Sequence, residues 1–159
     1  MGYSQLYGFQ MARVSEVYFS TLSALMKPHG LERHFKLLTF VGEHSAKYNQ
    51  GEIAEILHRD KVSIFRSIDY LANRGLIERK QDKDDRRCHR VLITKKGEKL
   101  LPLIEESIAK TNKLILNDLN DTEIELFSSV MDHLMDRIKA LPAPNYIVKP
   151  HRIKKESND

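Results

Sequence analysis

A single cysteine, Cys88, in 159 residues excludes an internal disulfide framework and a zinc site built from several thiolates. No apolar run approaches the roughly 20 residues that a membrane-crossing helix needs, and the first residues carry no signal-peptide core, so a soluble cytoplasmic protein is expected. Also missing are a glycine-rich loop to cradle phosphate, an HExxH histidine pair and a nucleophile elbow. The histidines at 29, 34, 44, 58, 89, 133 and 151 are scattered rather than spaced as ligands. Cys88 and His89 adjoin, but neighbours in an extended segment point to opposite faces and do not pair as nucleophile and base. No catalytic residue, cofactor or metal is therefore expected. Internal repeats and low-complexity blocks are absent too.

What remains is charge and helical periodicity. The formal net charge is +4, and it is unevenly spread: Arg79, Lys80, Lys83, Arg86, Arg87 and Arg90 crowd one stretch, interrupted by Asp82, Asp84 and Asp85. Local positive excess of this kind is what contact with phosphate requires. An isolated charged hairpin would more often be a solvated surface. The segment before it decides between the two readings.

Asn49 followed three residues later by Glu52 resembles a capping box, and Ile53, Ile56 and Leu57 then form one short apolar face. After a turn at His58-Arg59-Asp60, Asp60 is placed to cap a second helix that Gly75 ends. On that helix Ser63, Arg66, Ser67, Tyr70 and Arg74 share one arc, while Ile64, Ile68, Leu71 and Ala72 lie opposite. Three to four turns are long enough to lie in a major groove. Beyond Gly75, Leu76-Ile77-Glu78-Arg79 and Arg90-Val91-Leu92-Ile93 are β-type runs around a polar loop from Gln81 to His89. The order is that of a winged helix-turn-helix: a mainly α chain with a small β-hairpin.

The segment Lys61-Val62-Ser63-Ile64-Phe65-Arg66-Ser67-Ile68-Asp69-Tyr70-Leu71, followed by Arg74-Gly75-Leu76-Ile77-Glu78-Arg79, resembles the recognition helix and first wing strand of the MarR (multiple-antibiotic-resistance regulator) family of bacterial transcription factors. Asp85-Arg86-Arg87, then five residues and Ile93-Thr94, is similar to the family's wing signature, with Ile where Leu is usual. The resemblance extends over essentially the whole chain. It implies that Asp85 braces the hairpin and that Arg87, or its neighbour Arg86, enters the minor groove. Phe65 departs from it, standing where the family commonly has a small polar residue, at the edge of the apolar arc where a packing side chain would sit.

Candidates for groove and phosphate contact are Lys61, Ser63, Arg66, Ser67 and Tyr70, with Gln50 on the backbone at the start of the preceding helix and Arg86 and Arg87 in a narrow minor groove. The expected partner is double-stranded DNA carrying a palindromic operator, with repression as the default outcome. The resemblance further implies a small aromatic or anionic effector in a cleft between dimer helices and reading lobe, where Tyr18, His34 and His44 are the candidate contacts.

The flanks suggest how the reader is mounted. Leu6, Phe9, Val14, Val17, Tyr18, Leu22 and Leu25 predict a first helix closing before Pro28-His29-Gly30, and Phe35, Leu38 and Val41 a second. Thr94 is placed to cap a helix through Leu100, Leu101, Ile104, Ile108, Leu114 and Ile115, which Pro102 should bend or delay. From Asn120 with Glu123, the stripe Ile124, Phe127, Met131, Leu134, Ile138 and Leu141 steps by three and four until Pro142 and Pro144 stop it. Such a stripe needs a partner, and a twofold homodimer would set two recognition helices about 34 Å apart. The expected organisation is a dimerisation helix over 1–30, a DNA-binding lobe over 31–97, dimerisation helices over 98–141 and a polar basic tail over 142–159. Two alternatives are a redox-responsive regulator, since cations beside Cys88 favour its thiolate, and a metal-responsive one.

Overall fold

The computed structural model describes residues 6–82 and 88–141. Asp85, Arg86, Arg87 and the basic tail lie outside the described residues. The chain divides into two compact units, residues 1–117 and 118–159.

The first unit begins with α1 (Tyr7–Met26), which runs into a short 3-10 turn at Lys27–His29 and Gly30. There follow α2 (Phe35–Glu43), α3 (Gln50–Ile56), α4 (Lys61–Asn73), β1 (Ile77–Gln81), β2 (His89–Ile93), α5 (Lys95–Glu98) and α6 (Leu101–Leu116). β1 and β2 pair antiparallel with Ile77 opposite Ile93 and Gln81 opposite His89. Pro102 delays rather than bends the sixth helix: Thr94 caps the short α5 through Gly97 N–H, and α6 starts anew with Pro102 in its first turn. Proline is tolerated there because the first-turn N–H groups have no intrahelical acceptor.

One core serves the whole unit. Leu22 and Met26 of α1, Leu38 and Val41 of α2, Ile53 of α3, Ile68 and Leu71 of α4, Ile77 and Val91 of the hairpin and Ile104 of α6 are all buried in a single cluster. Each fully buried aliphatic contributes about 1.5–3 kcal/mol. α4 therefore rests on the same core as α1 and α6.

The second unit contains α7 (Asp121–Ala140). Its start is a complete capping box: Asn120 Oδ1 accepts from Glu123 N–H at 3.0 Å, and Glu123 Oε2 accepts from Asn120 N–H at 2.9 Å. Taken by itself it is amphipathic, and Phe127, Met131, Leu134 and Ile138 on its apolar side are exposed.

Candidate nucleic-acid interface

Two caps set the ends of the helix-turn-helix. Asn49 Oδ1 accepts from Gly51 and Glu52 N–H at 2.9 and 3.0 Å while Glu52 returns a carboxylate to Asn49 N–H at 2.7 Å, closing the box that starts α3. Asp60 Oδ1 accepts from Ser63 N–H at 2.8 Å and starts α4. The turn between them passes through a left-handed residue, His58 at φ 49°, and α4 ends at Gly75, φ 67°. Both helices thus begin where side-chain oxygens satisfy otherwise orphaned N–H groups.

Burial of Ile64, Ile68 and Leu71 decides which side of α4 faces outward. That side is rotated from the polar arc expected from sequence. Val62, Phe65, Arg66, Asp69 and Tyr70 are exposed, whereas Ser63 and Ser67 are half-buried. Aliphatic packing, not side-chain polarity, sets the rotation, and the two small serines fit close to the neighbouring helix. Phe65, expected at a packing position, is 42% exposed, and Val62 is 60% exposed.

The polar residues that close the expected arc are engaged within the chain. Tyr70 donates its hydroxyl to the Gly30 carbonyl at 2.9 Å, and Arg74 Nη1 donates to the carbonyls of His29 and Gly30, both at 2.9 Å. Gly30 lies at φ 63°, and a Cβ there would meet Arg74 Nη1 at 2.6 Å, so the turn needs both glycine's backbone freedom and its missing side chain. His34 stacks on the Tyr70 ring at 4.1 Å between centroids. Together these contacts seat the last turns of α4 against the turn that follows α1. Asp69 is tied to Arg79 of β1, which couples α4 to the hairpin. Arg66, by contrast, has no ion-pair partner among the described residues, and Lys61 reaches only Glu55 at 3.5 Å, both exposed. Gln50 is half-buried in the first turn of α3.

The hairpin is braced by a group the sequence had marked only as part of a charged run. Arg90 is hydrogen-bonded through Nε to the buried Asp82 carboxylate, donates Nη1 to the Lys47 carbonyl at 2.6 Å and lies 3.5 Å from Glu52 Oε2. Those contacts fasten both wing strands to the start of α3, and the Asp82 bond holds the Arg90 charge more firmly than usual. The signal was present in the sequence: pairing the two β-type runs around their loop leaves Asp82 and Arg90 close together at its base. Cys88 is half-buried and forms no disulfide, and its carbonyl accepts from Asp82 N–H at 2.9 Å. Among the described residues no three His, Cys, Asp or Glu side chains converge as a metal site.

Behind α4 opens a cavity of about 760 Å³, between α1 (Phe19, Ser23), the chain from Glu32 to Leu37, and the helix-turn-helix (Leu57, Arg59, Asp60, Val62, Ser63, Arg66, Ser67). Its walls combine rings and aliphatics with Arg33, Lys36, Arg59 and Arg66. The Lys36 ammonium lies 3.0 Å from the Phe19 ring centroid, and burial, then Arg59, pushes its pKa below the usual lysine value. His34 Nδ1 and Glu32 Oε2 are buried without hydrogen-bond partners. Burial first, then Arg33 and Arg74, hold the imidazole below its ordinary pKa, against the opposing pull of Glu32.

Of the three expected effector contacts, only His34 lines this cavity. Tyr18 donates its hydroxyl to Asn112 on α6 at 2.8 Å, with burial raising its pKa. His44 ends α2 in an edge-to-face cluster with Phe40 and Tyr48. The three residues do not share a pocket, because Tyr18 and His44 are engaged with partners elsewhere in the chain.

A capped helix-turn-helix whose second helix exposes one face, followed by a braced two-stranded wing, defines a winged helix-turn-helix. Residues 32–89 match the model of the MarR family. Solved structures agree over a longer span. A MarR protein from Peptoclostridium difficile DA00132 is 22% identical with a TM-score of 0.78, covering 87% of this chain and 93% of that one. A putative MarR-family regulator from Listeria monocytogenes, solved with a 26mer DNA, is 23% identical with a TM-score of 0.72, covering 81% and 86%. CouR from Rhodococcus jostii RHA1, solved bound to p-coumaroyl-CoA, is 23% identical with a TM-score of 0.72, covering 92% and 99%. The chain shares their fold.

Proposed function

We propose that the protein is a homodimeric transcription regulator that binds a palindromic operator, represses by occupying it, and releases it when a small anionic aromatic compound fills the cavity behind α4. The observation that carries the proposal is the outward face of α4: a helix capped at Asp60, seated by Ile64, Ile68 and Leu71, that exposes Arg66, which has no ion-pair partner among the described residues. Arg66 reaches phosphate or the N7 and O6 of guanine, Lys61 and Gln50 follow the backbone, and Arg86 and Arg87 extend the footprint from the wing into the minor groove, with Asp85 bracing its tip. Ser63 and Ser67, half-buried on the cavity side, serve packing and the cavity wall rather than the groove. Tyr70 keeps α4 in place.

Dimerisation is supported by apolar surface at both ends of the chain. Tyr7, Phe9, Met11, Val14 and Val17 are exposed on α1, and α7 exposes Phe127, Met131, Leu134 and Ile138, with Leu141 following and Ile124 partly covered. Pairing with a second copy covers such surface and supplies the twofold axis that a palindrome mirrors.

The cavity supports the regulatory half. Lys36, Arg33 and Arg59 favour an anion, Phe19 and Phe35 offer rings to stack on, and the partnerless Glu32 Oε2 would accept from a hydroxyl. The p-coumaroyl-CoA of the CouR structure is both aromatic and anionic. Because Val62 and Arg66 belong at once to the cavity wall and to the outward face, an occupant that draws Arg66 inward removes a DNA contact directly. The test is titration of the purified chain into the duplex flanking its own coding region, with and without aromatic carboxylates and acyl thioesters. Tight binding to an inverted repeat, reversed by one of these and not in Lys36→Ala, is expected. Failure to retain any duplex would overturn the DNA half, and release that persists unchanged in Lys36→Ala would overturn this cavity as the effector site.

A further inference from the structure

We infer that Val62 and Phe65 read thymine methyl groups in the major groove, so that the preferred half-site is fixed by apolar contacts to A·T pairs beside the Arg66 contact. The inference rests on the DNA-binding function proposed above and adds what that surface selects. A helix docked as a recognition helix brings its N-terminal residues to the base edges. Here those residues are unusual in kind: on the first two turns of α4, Val62 and Phe65 are both exposed and stand three positions apart, so they are neighbours on the helix surface. Neither can accept or donate a hydrogen bond. Exposed apolar side chains at this place are unfavourable in water and find one matching group on the floor of the groove, the C5-methyl of thymine, which the other three bases lack.

The surroundings favour a nucleic-acid occupant over an apolar protein partner. Arg66 lies one turn on from Val62 with no ion-pair partner among the described residues, and Lys61 precedes them. Asp69 is paired with Arg79, Asp60 is engaged as the helix cap on Ser63 N–H, and Glu55 pairs with Lys61. The apolar pair thus sits beside the exposed Arg66. A duplex offers just that combination, with methyls within the groove and phosphates on its rims.

The experiment uses the full chain. Duplexes retained from a randomised library are sequenced, and each thymine of the bound half-site is then replaced singly by deoxyuridine, which removes the methyl and leaves base pairing intact. At one or two positions per half-site, affinity should fall about fourfold for each methyl lost. Val62→Ala and Phe65→Ala should bind the thymine duplex as weakly as the uracil one, with no further loss on uracil substitution. Equal affinity of the unaltered protein for thymine and uracil duplexes at every position overturns the inference while leaving DNA binding standing, and so does full uracil sensitivity retained in both variants. Recovery of no duplex at all overturns the underlying function as well. The uracil arm needs no protein variant, so its outcome does not depend on how the substitutions fold.

Discussion

Arg66 and His34 are the two residues whose surroundings make the sharpest demands. Arg66 has no partner to lose among the described residues, so Arg66→Ala should leave the thermal midpoint unchanged while costing about 1–3 kcal/mol in operator affinity if it contacts a base. Arg66→Lys should recover part of that by charge alone, because a lysine cannot form the planar bidentate pair. Equal affinities in a fluorescence titration would strike Arg66 from the contact surface. Burial holds the His34 imidazole of the folded chain below the ordinary histidine pKa of about 6.5, so the unfolded chain binds the proton more readily. Stability must then fall as pH drops below about 6.5, because the unfolded state gains protons there that the folded state resists. Thermal melts from neutral to mildly acidic pH should show a smaller loss for His34→Gln than for the unaltered chain. Superimposable pH profiles would mean that Glu32, Arg33 and Arg74 leave the imidazole no net shift.

At the level of elements, the caps and the brace can be separated. Loss of the Asp60 cap (Asp60→Ala) or of the Asn49 box (Asn49→Ala) should each cost about 1 kcal/mol, or some 2–4 °C in melting midpoint. Arg90→Ala acts differently: it removes the guanidinium bonded to the buried Asp82 carboxylate and unties the wing from Lys47 and Glu52. Faster amide exchange at Val91 and Ile93, along with weaker DNA binding, is the expected signature, and unchanged exchange there would show that the strand pairing alone holds the wing. These local features differ in how readily the sequence shows them. Both capping boxes, the Gly75 stop and the buried triad of α4 are written in spacings of three and four residues, and all appear in the structure. Which polar residues of α4 face outward is not, because Tyr70 and Arg74 find acceptors at His29 and Gly30, about forty residues away. A helical wheel carries no information about so distant a partner. The same holds for Tyr18, whose Asn112 acceptor sits on α6, and for His44, claimed by Phe40 and Tyr48. Arg90 was visible as charge but not as a brace until the strand register placed it beside Asp82.

For the whole molecule, the central claim is that two copies present two α4 faces to one duplex. Truncating the apolar surface of α7 with Phe127→Ser and Leu134→Ser should shift a dimer toward monomer in sedimentation and weaken operator binding together. Loss of either property without the other would separate dimerisation from recognition. Peroxide treatment is a second check at this scale: if Cys88 is modified with no change in affinity, control through the wing thiol is eliminated.

The most direct test is the stoichiometry and salt dependence of binding to a selected inverted-repeat duplex, measured by titration of the full chain over a range of ionic strength. A dimer that neutralises roughly 6–10 phosphates should bind as two chains per duplex, with log affinity falling against log salt at a slope of about −5 to −9. One chain per duplex, or an affinity that salt leaves flat, would contradict the account.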